Sequence, residues 1–433
     1  MLLVYSHTIT PRLKYIFKQI CTRILNIPVS FTTTVEEFIA HDNIKMSYAL
    51  QPLGKEFHVQ SHQILFEQGL SDIEIIVHQW DNTKCFFQNG DKSTLPYDIF
   101  AASFYLLSRY EEYLPHIKDE YGRFNAMNSL AYNHDFLHQP VVDIWAYKFK
   151  DSLKLRYPEY VFNERMYSIK PIIDVPMAYY FIQKGTLRTL GGTVNDIFKL
   201  KFKRLYQRYL VLFRFKKDPY DTFNWIIDKQ KQVKEKFRIF FLIGDYSTYD
   251  KNVSINRKKF ISLIKFVSDY CKVGLKASYL ALEDIDTLKR EKTKMEAVIH
   301  TGLESSRNSF SKLNLPHSYR NLIELEINED YTMGYVSHSG FRAGTCTAYL
   351  FYDIDYEIRT PLIVNSFQVM DFTLLKHASL LDKKEDIQAI IDQVKQVNGT
   401  LIPVFHNYSF SDTDRWHGFK ELFSLILEST NDK

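Results

Sequence analysis

YTMGYVSHSGFRAGTCTAYLFYDIDYEIRTPLIVNSFQVMD, residues 331–371, holds GFRAGT around Arg342 and leads into VMDFTL (369–374) around Asp371. Upstream stands IIDVP (172–176), and downstream PVFHN (403–407). Each is a short apolar run ending in one charged or ionisable residue. Barrel folds present reactive side chains in this way, with the strands buried and the chemistry at their carboxyl ends. Asp174, Lys276, Arg342, Asp371 and His406 are therefore expected to converge on one hollow at the end of a ring of parallel strands.

Working outward, residues 169–407 alternate short apolar runs with helical patterns. Strand candidates are IKPIIDV (169–175), FRIFFLIGD (237–245), KVGLKAS (272–278), MEAVIH (295–300), YTMGYV (331–336), PLIVNSF (361–367) and TLIPVFHN (400–407). Between them, 221–237, 257–271 and 383–397 read as helices. Repeated βα units predict a parallel sheet, open or closed into a barrel. Ahead of it lies a smaller α/β unit. LLVYS (2–6) reads as a buried strand and 11–25 as an amphipathic helix with Pro11 near its start. Alternation in VSFTTTVEEFIAHD (29–42) and IEIIVHQW (73–80) suggests strands, and 96–114 and 141–157 suggest helices. The polar stretch 157–171 is a plausible linker. The expected division is an N-terminal α/β domain over 1–165 and a (β/α) domain over 166–433.

A chain of 433 residues, 45% hydrophobic and 24% charged, has ample material for a sizeable core. A net charge of +4 over this length gives no sign of a nucleic-acid partner. Aromatic residues make up 15%, a level common both in carbohydrate-handling proteins and in aromatic-rich cores. Cys21, Cys85, Cys271 and Cys346 lie far apart, which argues against a zinc knuckle or a disulfide framework and suits a reducing compartment. The amino terminus lacks the basic start and long apolar core of a signal peptide, and no run approaches the ~18 apolar residues of a membrane span. The expectation is a soluble, cytoplasmic protein.

The order Asp174, Arg342, Asp371, His406 resembles the polysaccharide deacetylases of carbohydrate esterase family 4, over roughly residues 166–410. The layout, an α/β unit before such a domain, resembles a group of Bacteroidetes proteins of that kind. The resemblance implies an α/β architecture whose C-terminal part is an irregular (β/α) barrel of the glycoside hydrolase/deacetylase type. It also implies a polysaccharide or oligosaccharide partner and removal of an N-acetyl group from a cell-surface polysaccharide or its precursor. By the same resemblance Asp174 is the general base, Arg342 pairs with it, Asp371 orients the other acid, and His406 is the general acid. Gly344, Thr345 and Asn407 are expected to touch the substrate.

The resemblance fails at the metal. Family members bind a divalent ion such as zinc through an acidic residue and two histidines. Here Pro176, Lys276 and Ser309 stand in the matching segments IIDVP, VGLKASY and SSRNSFSKL. Proline cannot coordinate, an ammonium is a donor only, and a hydroxyl is a weak ligand. No metal or other cofactor is expected, and hydrolysis is reduced or absent. The alternative reading is a non-catalytic glycan-binding or scaffolding protein. A third has Lys276 and Arg342 polarising an amide carbonyl without metal. Asp245, at the end of FRIFFLIGD, is expected at the same mouth.

Two charged stretches remain. SRYEEYLPHIKDEYGRF (108–124) reads chiefly as a charged helix end, and alternatively as a sugar anchor or a docking edge for the second domain. IFKLKFKRLYQRYLVLFRFKK (197–217) interleaves Lys and Arg with apolar residues. It is expected to pack on the barrel with its lysines reaching water, the alternative being peripheral contact with an anionic membrane.

Overall fold

The structure, a computed structural model, describes residues 1–430. Four short strands open the chain: β1 (Leu2–Tyr5), β2 (Val29–Thr32), β3 (Lys45–Ala49) and β4 (Phe57–Gln60). They form a parallel sheet in the order β2-β1-β3-β4. Parallel neighbours need crossovers. Helix Pro11–Phe17 provides one, started by Pro11 and capped by Thr10 Oγ1 accepting from the Leu13 amide at 3.1 Å. β5 (His78–Trp80) and β6 (Thr83–Cys85) make a hairpin. Helices Ile99–Leu107 and Val141–Arg156 complete the unit.

The second part begins with β7 (Ser168–Ile169) and β8 (Ile172–Val175). β9 (Arg238–Leu242), β10 (Lys272–Ala277), β11 (Ser305–Asn308), β12 (Glu329–Asp330), β13 (Tyr349–Asp353), β14 (Ile358–Val364) and β15 (Val369–Met370) follow. β16 (Thr400–Leu401) and β17 (Pro403–His406) end the series. Nine of them form one sheet in the order β13-β14-β12-β11-β10-β9-β8-β17-β15, parallel throughout except for β13 against β14. β7 and β16 pair separately in parallel. The expected barrel is thus met only in its α/β character and parallel strands, because this order leaves β13 and β15 as ends.

β8, β9 and β17 are buried at every position, as continuous apolar runs require when both sheet faces are covered. The two-residue period then sorts the side chains. Ile173, Ile239, Phe241 and Leu275 join the main core, which also includes helix residues such as Ile226, Ile264 and Ile390. Ile172, Phe240, Tyr331, Phe367, Met370 and Val404 form a second buried cluster on the other face. Gly274 is required there, since a Cβ would stand 2.5 Å from the Phe240 ring. One step further along each strand, above this floor, stand Asp174, Lys276, Arg307 and His406. Register sets His406 beside Asp174 and Lys276 beside Arg307.

Several expectations need correction. In VSFTTTVEEFIAHD only Val29–Thr32 is a strand, and Val35–Ala40 is a helix with Glu36 and Glu37 in its first turn. MEAVIH belongs to helix Ile285–Ile299, whose apolar Leu288, Met295 and Val298 sit at helical spacing and bury. YTMGYV carries no strand, the pairing residues being Glu329–Asp330 just before it. Of IEIIVHQW only His78–Trp80 pairs. β3, β4, β6, β11 and β13 were not anticipated.

Candidate functional site

Asp174, Lys276, Asp371 and His406 come together as expected. Asp174 is fully buried. Its Oδ2 accepts from Lys276 Nζ at 2.6 Å and from Arg307 Nε at 3.0 Å, and His406 Nε2 lies 3.7 Å away. Burial pushes this carboxyl up, but Arg307, Lys276 and His406 together outweigh burial and hold it well below the usual carboxylate range. Such an anion keeps its charge and takes up a proton reluctantly. It suits anchoring the two cations better than it suits the general-base role. The Lys276 ammonium is lowered by burial, with Asp174 partly opposing.

Arg307 occupies the place expected for Arg342. Its guanidinium also donates to the Tyr331 carbonyl at 2.5 Å and to Ser311 Oγ at 3.0 Å, and it lies 4.6 Å from the centre of the Phe367 ring. Reading SSRN as a strand would have found it, because the two-residue step from Ser305 turns Arg307 toward Asp174.

Arg342 is elsewhere. It makes a two-pronged pair with Glu112 at 2.9 and 2.7 Å and donates to the Gly334 carbonyl at 3.1 Å. Arg109 binds Glu112 at 2.7 Å and donates to the Arg342 carbonyl. Within 108–124, Arg109 and Glu112 are thus paired to the GFRAGT segment. Gly344 lies against Leu106, Val141 and Val142, and Thr345 Oγ1 donates to Asp143 at 2.6 Å. Neither borders the cavity lined by Lys276 and His406. Asn407 is fully buried and donates to the carbonyls of Met177 and Tyr220, so it braces the loops of the mouth. Asp245 misses the mouth as well, its side chain being 94% exposed near Lys294.

His406 is held from behind. Nδ1 sits 2.9 and 3.0 Å from the two Asp371 oxygens, and Asp371 Oδ2 also accepts the His406 amide at 2.7 Å. With carboxylate oxygens facing it, Nδ1 carries a proton, and Nε2 is turned toward the cavity and Asp174 Oδ2. Tyr408 stacks on the imidazole at 4.9 Å and Phe372 meets it edge-on at 5.0 Å.

Lys276 and His406, with Phe372 and Tyr408, line a cavity of about 510 Å³, and Asp174, Arg307 and Asp371 are buried behind them. The cavity's aromatic walls include Tyr121 stacked on Phe310 at 5.1 Å and Tyr249, which stacks on Tyr279 behind it at 4.0 Å. Tyr121 and Arg123 reach it from the N-terminal unit, with Arg123 donating to the Phe310 carbonyl at 3.1 Å. Asp250 also borders the cavity and accepts the Tyr279 amide at 2.8 Å. Burial raises its carboxyl, and no sequence signal announced this residue.

Pro176, Lys276 and Ser309, the three positions read as replacing metal ligands, all line this one cavity. The donor set there does not fit a divalent ion. Asp174 is saturated by two cations, Lys276 and Arg307 cannot ligate, and the cavity lining adds only His406 and Asp250, short of the three protein ligands such a site needs. Among the described residues no group of three or more His, Cys, Asp or Glu side chains is placed to hold a metal.

Residues 2–158 match a family of unknown function, DUF7033. No curated protein matches the chain. Among solved structures, a Mycobacterium smegmatis protein described as a polysaccharide deacetylase is similar at 13% identity, covering 61% of this chain and 85% of that one, with a TM-score of 0.37. The polysaccharide deacetylase Bc1974 from Bacillus cereus is similar at 11% identity, covering 62% and 88%, with a TM-score of 0.30. A carbohydrate esterase family 4 pseudoenzyme from Bacillus anthracis is similar at 12% identity, covering 62% of each chain, with a TM-score of 0.27. This is a remote resemblance to family 4 deacetylases. The chemistry of the site rests on its own geometry.

Proposed function

We propose that this is a deacetylase-like protein of carbohydrate metabolism whose cavity binds an acylated sugar without a divalent metal. The carrying observation is the Lys276 ammonium 2.6 Å from Asp174, in a cavity also lined by Pro176 and Ser309. A fixed ammonium supplies positive charge toward a carbonyl oxygen but does not generate a hydroxide at neutral pH as a bound metal can. The aromatic walls suit the apolar faces of sugar rings, and Arg123, Arg415 and Asp250 offer partners for hydroxyls.

One observation favours a second reading, metal-free hydrolysis. His406 keeps its Asp371 partner and presents Nε2 to the cavity, the arrangement of a general acid–base pair. Titration calorimetry with N-acetylglucosamine oligosaccharides in excess chelator tests the first reading. Binding is expected, weakened at least about tenfold in Tyr121→Ala by loss of a ring face. Binding that vanishes with the chelator overturns it. Acetate release that persists in chelator and stops in His406→Ala establishes the second reading instead.

A further inference from the structure

Amphipathic helices of globular proteins ordinarily turn their apolar stripe inward. Helices Thr186–Phe198 and Phe202–Leu212 do the reverse. Leu187, Leu190 and Phe198 recur at helical spacing on the first and are 85%, 61% and 83% exposed. Phe202 begins the second, and Phe213 and Phe215 continue past its end, all at least 60% exposed. Four of the five exposed phenylalanines among the described residues lie in this one segment, the fifth being Phe266.

Charge is what the pair buries. Asp196 is fully buried, held by Arg208 at 2.6 Å and Arg204 at 2.9 Å. Gly192 makes room, because a Cβ there would stand 2.7 Å from the Arg208 guanidinium. The two helices are thus joined through an ion pair, with their apolar side left bare.

Residues 186–217 carry nine Lys and Arg against one acid, Asp196, which is used internally. Lys201, Lys203, Arg204, Lys216, Lys217 and Arg415 line a second cavity of about 920 Å³. Tyr220 and Arg415 border both this cavity and the one lined by Lys276 and His406. Large apolar side chains set among lysines match the headgroup boundary of an anionic bilayer. Two copies of so basic a face would repel each other.

We propose that residues 186–217 are a peripheral docking element for an anionic lipid bilayer, which brings the mouth of the cavity lined by Lys276 and His406 to the headgroup layer. This goes beyond the sugar-binding reading and does not depend on it. The test is sedimentation of the full chain with vesicles of phosphatidylcholine alone and of equimolar phosphatidylcholine and phosphatidylglycerol, with light scattering of the vesicle-free protein alongside. The chain is expected to sediment with the anionic vesicles and to be released by high salt. Lys201→Glu/Lys203→Glu/Lys216→Glu should weaken this about a hundredfold. Phe198→Ser/Phe202→Ser/Phe213→Ser should weaken it at least about tenfold. Both sets are surface changes, and unchanged thermal melts confirm folding. Failure to sediment with anionic vesicles overturns the proposal, as does equal sedimentation of both variants. Self-association through this face in place of vesicle binding overturns it too. None of these results bears on sugar binding.

Discussion

Lys276 Nζ lies 2.6 Å from Asp174 Oδ2, with both side chains out of solvent and Arg307 on the same carboxylate. One anion thus serves two buried cations, and that stoichiometry makes the partners unequal. Removing Lys276 leaves Asp174 paired with Arg307. Removing the Asp174 charge leaves two cations facing each other.

Urea denaturation should therefore rank Asp174→Asn as the more damaging change, at about 3–5 kcal/mol, with Lys276→Met costing about 1–3 kcal/mol. In the double variant Lys276→Met should recover part of the Asp174→Asn loss. Equal costs that simply add would contradict this sharing of one carboxylate.

Arg342 is expected to matter for stability and not for ligand. Arg342→Ala strips Glu112 of its two-pronged partner but leaves it Arg109, and should cost about 1–3 kcal/mol, while sugar affinity of the folded fraction stays unchanged. A specific loss of affinity in a normally stable Arg342→Ala would return it to the site.

The same ion pair sets an acid limit. Burial raises the Glu112 carboxyl, but Arg342 and Arg109 outweigh burial and bring it from 4.5 to about 2. Its folded value being depressed, the stabilisation is fully present above about 4.5 and is lost as pH falls toward about 2. Urea midpoints measured across that window should fall more steeply for the parent chain than for Glu112→Gln, which lacks the titrating group.

His406 should show a single tautomer. With both Asp371 oxygens facing Nδ1, nitrogen NMR of the neutral ring should report a protonated Nδ1 and a bare Nε2. Asp371→Asn should allow a mixture and cost about 1–3 kcal/mol. An Nε2-protonated ring in the parent chain would rule out the proposed acid–base orientation.

The parallel sheet was legible because β8, β9 and β17 are buried on both faces and read as unbroken apolar runs. Asp174, Lys276 and His406 were legible because each ends or nearly ends such a run. Arg307 was not, since Ser305–Asn308 is a strand without apolar residues, built from SSRN, and shows no hydrophobic period. Arg342 was misplaced for the opposite reason. GFRAGT offers a recognisable motif, but Glu112, its partner, lies 230 residues away and no local pattern links the two. The segment 197–217 has helical periodicity in plain view, yet period alone does not say whether a stripe faces core or solvent. Tyr121 entered the cavity from the N-terminal unit, a contact that exists only in three dimensions.

Zinc titration of the metal-free protein, followed by calorimetry, tests the central claim most directly, with Pro176→Asp/Lys276→His/Ser309→His run alongside. The parent chain should show no stoichiometric site, whereas the triple variant, which places three ligands in the cavity around His406, should take up one ion per chain. One tight zinc site in the parent chain, abolished by His406→Ala, would contradict the account.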